Sequence, residues 1–236
     1  MANTRSYSLG PGLSKAEQIA GFCYLPVYVA LLGFALAWLN EKCSLGLTDL
    51  QINIAYFLIN CIFTWLIFHI FLLRSFRNIR FWDLVQALIL GFVLYYVGNL
   101  LLSLLVGWLG IEIPQFNNEA VMGLAAQNEA VMIVCAVVLA PMVEETLMRG
   151  LVFGTIRRKS RILAYVVSML LFAAIHVWQF AFLYDWRKIL LAAVAYLPAG
   201  IALGWTYEKA NTIWAPILLH MTINAISFGL MRFLEV

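Results

Sequence analysis

Seven apolar stretches, each long enough to cross a lipid bilayer, constrain this chain more than any other feature. They run over 19–39, 52–73, 84–106, 130–156, 162–183, 189–207 and 213–233. A hydrocarbon layer about 30 Å thick takes about 20 residues of helix. Inside it, every backbone N–H and C=O needs a partner within the protein, so such stretches form helices. Charged residues make up 11% of the chain, against about 25% in a soluble domain. The expected fold is all-α: a polytopic integral membrane helical bundle of about seven transmembrane helices. The sixth stretch is short and contains Pro198. It can kink or re-enter, which leaves eight spans as the alternative.

Three regions follow. Residues 1–18 are a polar, cytoplasmic N-terminal segment. Residues 19–129 hold the first membrane helices and a polar connecting segment. Residues 130–236 form the membrane core that carries the candidate chemistry. The first apolar run is too long for the core of a signal peptide and reads as an uncleaved span. With the N-terminus inside, the cytoplasmic segments carry Arg5, Lys15, Arg74, Arg77, Arg80, Arg157, Arg158, Lys159, Arg161 and Lys209. The opposite side carries Lys42, Arg187, Lys188 and Arg232. Ten basic residues against four is the expected inside bias, and it sets the C-terminus outside.

Other function classes find little support. The four cysteines are scattered, which excludes a disulfide framework, a redox pair or a zinc knuckle. Cys23, Cys61 and Cys135 lie in apolar runs and read as small packing residues. No basic stretch interleaved with aromatics points to nucleic acid. NNEAVM (117–122), in the polar interval 107–129, and QNEAVM (127–132), which runs from its end into the fourth stretch, are near-copies that read as a short surface helix without chemistry. Gly200 and Gly204 form a small-xxx-small pair that reads as close helix packing.

The ionisable groups inside the spans are Glu144, Glu145, Arg149, His69, His176 and His220. Charge within hydrocarbon is costly, so it is paired or functional. Glu145 and Arg149 are four apart and can pair on one helix face. Glu144 points about 100° away, toward another wall. His176 shares a face with Phe172, and His220 with Asn224. His69 has no such companion and reads as interfacial or structural. Counted from the cytoplasmic helix ends at 1.5 Å per residue, Glu144 lies about 18 Å deep, His176 about 21 Å, Asn224 about 16 Å and His220 about 10 Å. Comparable depths predict one polar cavity. A carboxylate and a histidine around one water make a general base, and His220 with Asn224 can stabilise an oxyanion. Two histidines with one or two glutamates are also a plausible zinc set, although no H-E-x-x-H is present. An ion network that only locks helices together is the structural alternative.

EETLMRG (144–150), FAAIH (172–176) and HMTIN (220–224), in that order, resemble the CAAX protease and bacteriocin-processing family of intramembrane glutamic endopeptidases. Its pattern is EExxxR, then FxxxH, then HxxxN. The resemblance is specific over about residues 130–230. It implies catalytic roles for Glu144, Glu145, Arg149, His176, His220 and Asn224. Glu144 would activate water, with Glu145 and Arg149 in support and His220 and Asn224 at the oxyanion. It implies no cofactor or metal, a membrane-associated, prenylated or exported peptide as substrate, and a prokaryotic plasma membrane as location. The competing class is a non-catalytic membrane protein, either an immunity or partner-binding factor or a small transporter. An intact set of polar motifs favours the enzyme.

Overall fold

The structure is a computed structural model that describes residues 12–233. Residues 1–11 and 234–236 lie outside the described residues, and with them most of the expected cytoplasmic lead and the C-terminal end. Among the described residues there are helices and no strands. Seven helical segments are long and apolar enough to cross a membrane. They are α1 (Lys15–Lys42), α2 (Asp49–Arg77), α3 (Phe81–Leu109), α5 (Glu129–Arg157), α6 (Arg161–Phe182), the pair α7–α8 (Trp186–Ala210) and α9 (Trp214–Phe233). The short α4 (Phe116–Ala125) precedes α5 and takes up the first near-copy in the polar interval. The chain is thus a polytopic all-α membrane bundle.

Local chemistry sets the helix ends. Ser14 and Glu17 form a reciprocal capping box at the start of α1, and Thr48 with Gln51 does the same for α2. Asn128, Ser160 and Asp185 cap α5, α6 and α7. Gly110, at φ +65°, ends α3 in the left-handed conformation that a glycine adopts without strain. Trp82 and Trp108, near the two ends of α3, are exposed, as interfacial anchors are.

The sixth span departs from the expected kink. α7 covers Trp186–Val194 and α8 covers Leu197–Ala210, with a turn at Ala195 and Tyr196 between them. Pro198 lies in the first turn of α8, where a missing N–H leaves no helix bond unmade. The proline therefore opens a helix instead of bending one. Gly200 and Gly204 face α6: a Cβ on Gly200 would meet Met169 at 2.8 Å, and one on Gly204 would meet Tyr165 at 3.2 Å. Close packing of α8 on α6 needs both positions small.

The first helix starts inside the expected N-terminal segment 1–18. α1 begins at Lys15, and Leu13 and Glu17 are buried. The reason is a partner from α2. Glu17 accepts the backbone N–H of Phe71 at 2.9 Å and a guanidinium N–H of Arg74 at 3.2 Å. The four cysteines are free; Cys135 is buried, Cys61 half-buried and Cys23 exposed. Cys23 is therefore not a packing residue within the bundle.

α5 is the central helix. Of its apolar window 56% is buried, against 6% for α3, which lies at the periphery. Leu147, Leu151 and Phe153 of α5 pack with Phe68 and Phe71 of α2, Leu203 of α8 and Ile217 of α9. All the charges in EETLMRG are carried on this helix.

Candidate active site

α5 is not a regular α-helix. Val134–Leu139 and Thr146–Phe153 are wound as π-helix, and the short α segment between them carries both glutamates. π-turns release backbone groups from the usual ladder and often occur at functional sites. Here the first has a sequence cause. Pro141 has no N–H, so one donor is missing just beyond the turn. The N–H of Ala140 goes to Cys135, five residues back, instead of to Ala136. The freed Ala136 carbonyl accepts Nδ2 of Asn224 from α9 at 2.9 Å. In the second turn, the Met148 carbonyl accepts the hydroxyl of Ser168 from α6 at 3.1 Å. α1 repeats the device after Pro26. Leu32 N–H reaches back to Val27, and the Tyr28 carbonyl accepts the Tyr56 hydroxyl at 2.7 Å.

Glu145 and Arg149 form a fully buried ion pair, Nη1 to Oε1 at 2.8 Å. Arg149 also donates to the Gly200 carbonyl at 3.2 Å, and its guanidinium lies 4.3 Å from the centre of the Phe172 ring. The same Oε1 of Glu145 accepts Nδ1–H of His220 at 2.9 Å. One carboxylate thus ties α5 to α9, and Arg149 ties it to α8. The pair is neutral as a unit, which makes burial tolerable.

Oε2 of both glutamates is buried without a hydrogen-bond partner among the described residues, but Glu145 is paired with Arg149, whereas the ion-pair distances at Glu144 are to histidines. Nε2 of His176 lies 3.6 Å from Oε2 of Glu144 and Nε2 of His220 lies 4.0 Å away. Both rings are oriented by their other nitrogen. Nδ1 of His176 donates to the Phe172 carbonyl at 2.7 Å, because a carbonyl can only accept. The His176 ring is also stacked on Tyr196, with centroids 4.4 Å apart. In their neutral forms both histidines therefore turn an Nε2 lone pair toward Glu144.

A cavity of about 470 Å³ opens beside Glu144. Tyr28, Tyr56, Asn117, His176 and Asn224 line it with Glu144. The six residues singled out from the sequence are thus brought together from α5, α6 and α9. His69 is elsewhere: its Nδ1 bonds the Leu66 carbonyl of its own helix. Asn224 does not share a hydrogen-bond target with His220. It is held by Ala136, while His220 is held by Glu145.

Sequence reasoning missed Tyr28, Tyr56 and Tyr196. Their one signal is a phenol placed inside a span instead of at its end. Asn117 comes from the near-copy that read as devoid of chemistry. Among the described residues no group of three or more His, Cys, Asp or Glu is arranged to hold a metal ion.

Comparison with known proteins bears on the same part of the chain. Residues 126–226 match the family model described as "Type II CAAX prenyl endopeptidase Rce1-like". One similar protein is the "Putative membrane peptidase YdiL" of Bacillus subtilis (strain 168), 26% identical over 116 residues. That alignment covers 49% of this chain and 43% of the relative. Another is the "UPF0177 protein YxdF" of Lactococcus lactis subsp. lactis (strain IL1403), 26% identical over 98 residues, covering 42% of this chain and 49% of the relative. The chain therefore spans less than half the length of either relative. No solved structure matches the chain. The matched region holds Glu144, Glu145, Arg149, His176, His220 and Asn224, and over residues 126–226 the chain is similar to the Rce1-like family of membrane peptidases.

Proposed function

We propose that the protein is a membrane-embedded endopeptidase in which Glu144 activates water to hydrolyse a peptide bond. The observation that carries this reading is the Glu144 Oε2 atom, buried and unpartnered, with two histidine Nε2 atoms within 4.0 Å. A carboxylate and two neutral imidazoles are all acceptors. One water donating to Glu144 and His176 satisfies two of them and turns its lone pair away, toward the cavity.

The reaction then balances with the groups present. Glu144 takes a proton from the water as the water oxygen bonds to the carbonyl carbon. The carbonyl oxygen becomes an oxyanion. Asn224 has a second Nδ2 proton beyond the one given to Ala136, and it serves that charge. His220, held at Nδ1 by Glu145, serves it too when its Nε2 carries a proton. Collapse of the tetrahedral species breaks the C–N bond. The proton on Glu144 passes to the leaving nitrogen, so an acid and an amine are released. Arg149 has no part at the reacting atoms; it holds Glu145.

The substrate is a membrane-associated or exported peptide, with a prenylated one as the case that the family description names. The two relatives come from bacteria, which supports a bacterial plasma membrane as location. The charge bias supports a cytoplasmic N-terminus and an outside C-terminus.

Glu144→Gln keeps the shape and removes the base. Comparing membrane peptides from cells that express wild type or Glu144→Gln identifies candidate substrates, and a synthetic candidate is then cleaved with purified protein. Turnover should fall by about 10²–10⁴-fold with thermal stability retained. Wild-type turnover by Glu144→Gln would sink the proposal.

A further inference from the structure

Asn224 and His176 stand between two cavities, since both line each of them. The larger contains Glu144. The smaller, about 220 Å³, contains His220 and lacks Glu144. Outward from His220 its wall carries Asn224 and Ser227, spaced by four and three residues, so they follow one face of α9. From His220 to Ser227 that face climbs about 10 Å along the helix axis. Asn99 of α3 faces it, and Gln115 and Asn118, from the polar interval that joins α3 to α5, lie at its outer end. Gln115 and Asn118 are bonded to each other at an exposed position.

Polar residues on facing membrane helices commonly join those helices. Here His220 and Asn224 bond to α5 and Ser227 bonds to the Tyr95 side chain of α3, while Asn99 donates Nδ2 to the Tyr95 carbonyl of its own helix at 2.9 Å. The helices these bonds hold still leave a space between them, which the same residues line, and polar groups lining a space at membrane depth mark a hydrated pathway. At about 30 Å³ per water, the volume suits a short file of waters.

We propose that the smaller cavity is a water conduit, which supplies Glu144 from the outer side while a peptide fills the larger cavity. The proposal rests on the reading of Glu144 as the base. Each hydrolysis consumes one water, and a peptide in the larger cavity displaces the water there and closes that approach. His176 and Asn224, which face both spaces, are where the delivered water meets the scissile carbonyl.

Two measurements test it. In the first, Ser227→Cys and Gly229→Cys are prepared in lipid nanodiscs and treated with a charged methanethiosulfonate reagent. The modified residue is located by peptide mapping, which separates it from Cys23, Cys43, Cys61 and Cys135. A Cβ at Gly229 meets nothing within 4 Å, so it reports the lipid-facing side of the same helix. Ser227→Cys should be labelled and Gly229→Cys should not, with or without bound peptide. This readout does not depend on peptidase activity, so it separates failure of the conduit from failure of the Glu144 reading. In the second, Ser227→Leu and Asn99→Leu narrow the space. Peptide cleavage should lose about tenfold in kcat or more at an unchanged KM, because water supply, not peptide binding, is impaired. A raised KM at unchanged kcat overturns the proposal in favour of a peptide subsite. An unlabelled Ser227→Cys overturns it in favour of a dry cavity.

Discussion

Asn224 is bound to the Ala136 carbonyl, Nδ2 to oxygen at 2.9 Å, and Pro141 is why that carbonyl is available. The Ala140 N–H has moved to Cys135, and the next residue brings no N–H at all. A proline on one helix thus orients an amide on another.

Pro141→Ala restores a donor that can compete for the Ala136 carbonyl or let α5 return to regular winding. Asn224→Ala should lose about 2–4 kcal/mol of transition-state stabilisation. Pro141→Ala should lose part of the same, with thermal stability equal or higher. The double variant should be no worse than Asn224→Ala, since both changes act through one amide. Cleavage by the two single variants and the double variant measures this; additive losses reject the link.

Arg149→Ala leaves Glu145 charged, buried and without its main partner. The expected loss of stability is about 3–5 kcal/mol, read as a lowered melting temperature in detergent. Arg149→Lys should recover only part of it, because one ammonium cannot reproduce the fork that spans Glu145 and the Gly200 carbonyl. His69→Ala, remote from the cavity, should change neither stability nor cleavage. If Glu144→Gln and Arg149→Ala lower stability equally, the cluster is a structural network and the peptidase reading loses its basis.

Glu144 and His176 can activate water directly. Exhaustive chelation of the purified protein should therefore leave peptide cleavage intact. Loss of activity that returns with one equivalent of zinc would instead make Glu144, His176 and His220 ligands.

Topology reporters fused after Arg77, Arg158 and Val236 should report cytoplasm, cytoplasm and outside. The basis is the basic-residue bias together with the seven candidate spans. A cytoplasmic signal at Val236 rejects an odd number of crossings.

The sequence by itself determined the number and class of the elements, because apolar length and the need to satisfy backbone groups in hydrocarbon act locally along the chain. It also marked Glu144, Glu145, Arg149, His176, His220 and Asn224, since charge and amide within apolar runs are conspicuous. Comparable depth was legible from the rise per residue. Partnership was only partly so. The Glu145–Arg149 pair follows from a spacing of four, but Glu17 with Arg74 and His220 with Glu145 join distant helices, and no local spacing encodes them. The break at Ala195 and Tyr196, the π-turns of α5 and the tyrosines around Glu144 were decided by the tertiary structure. A freed carbonyl at Ala136 is stable only where Asn224 of α9 arrives to bond it, and that meeting exists only once the helices have packed.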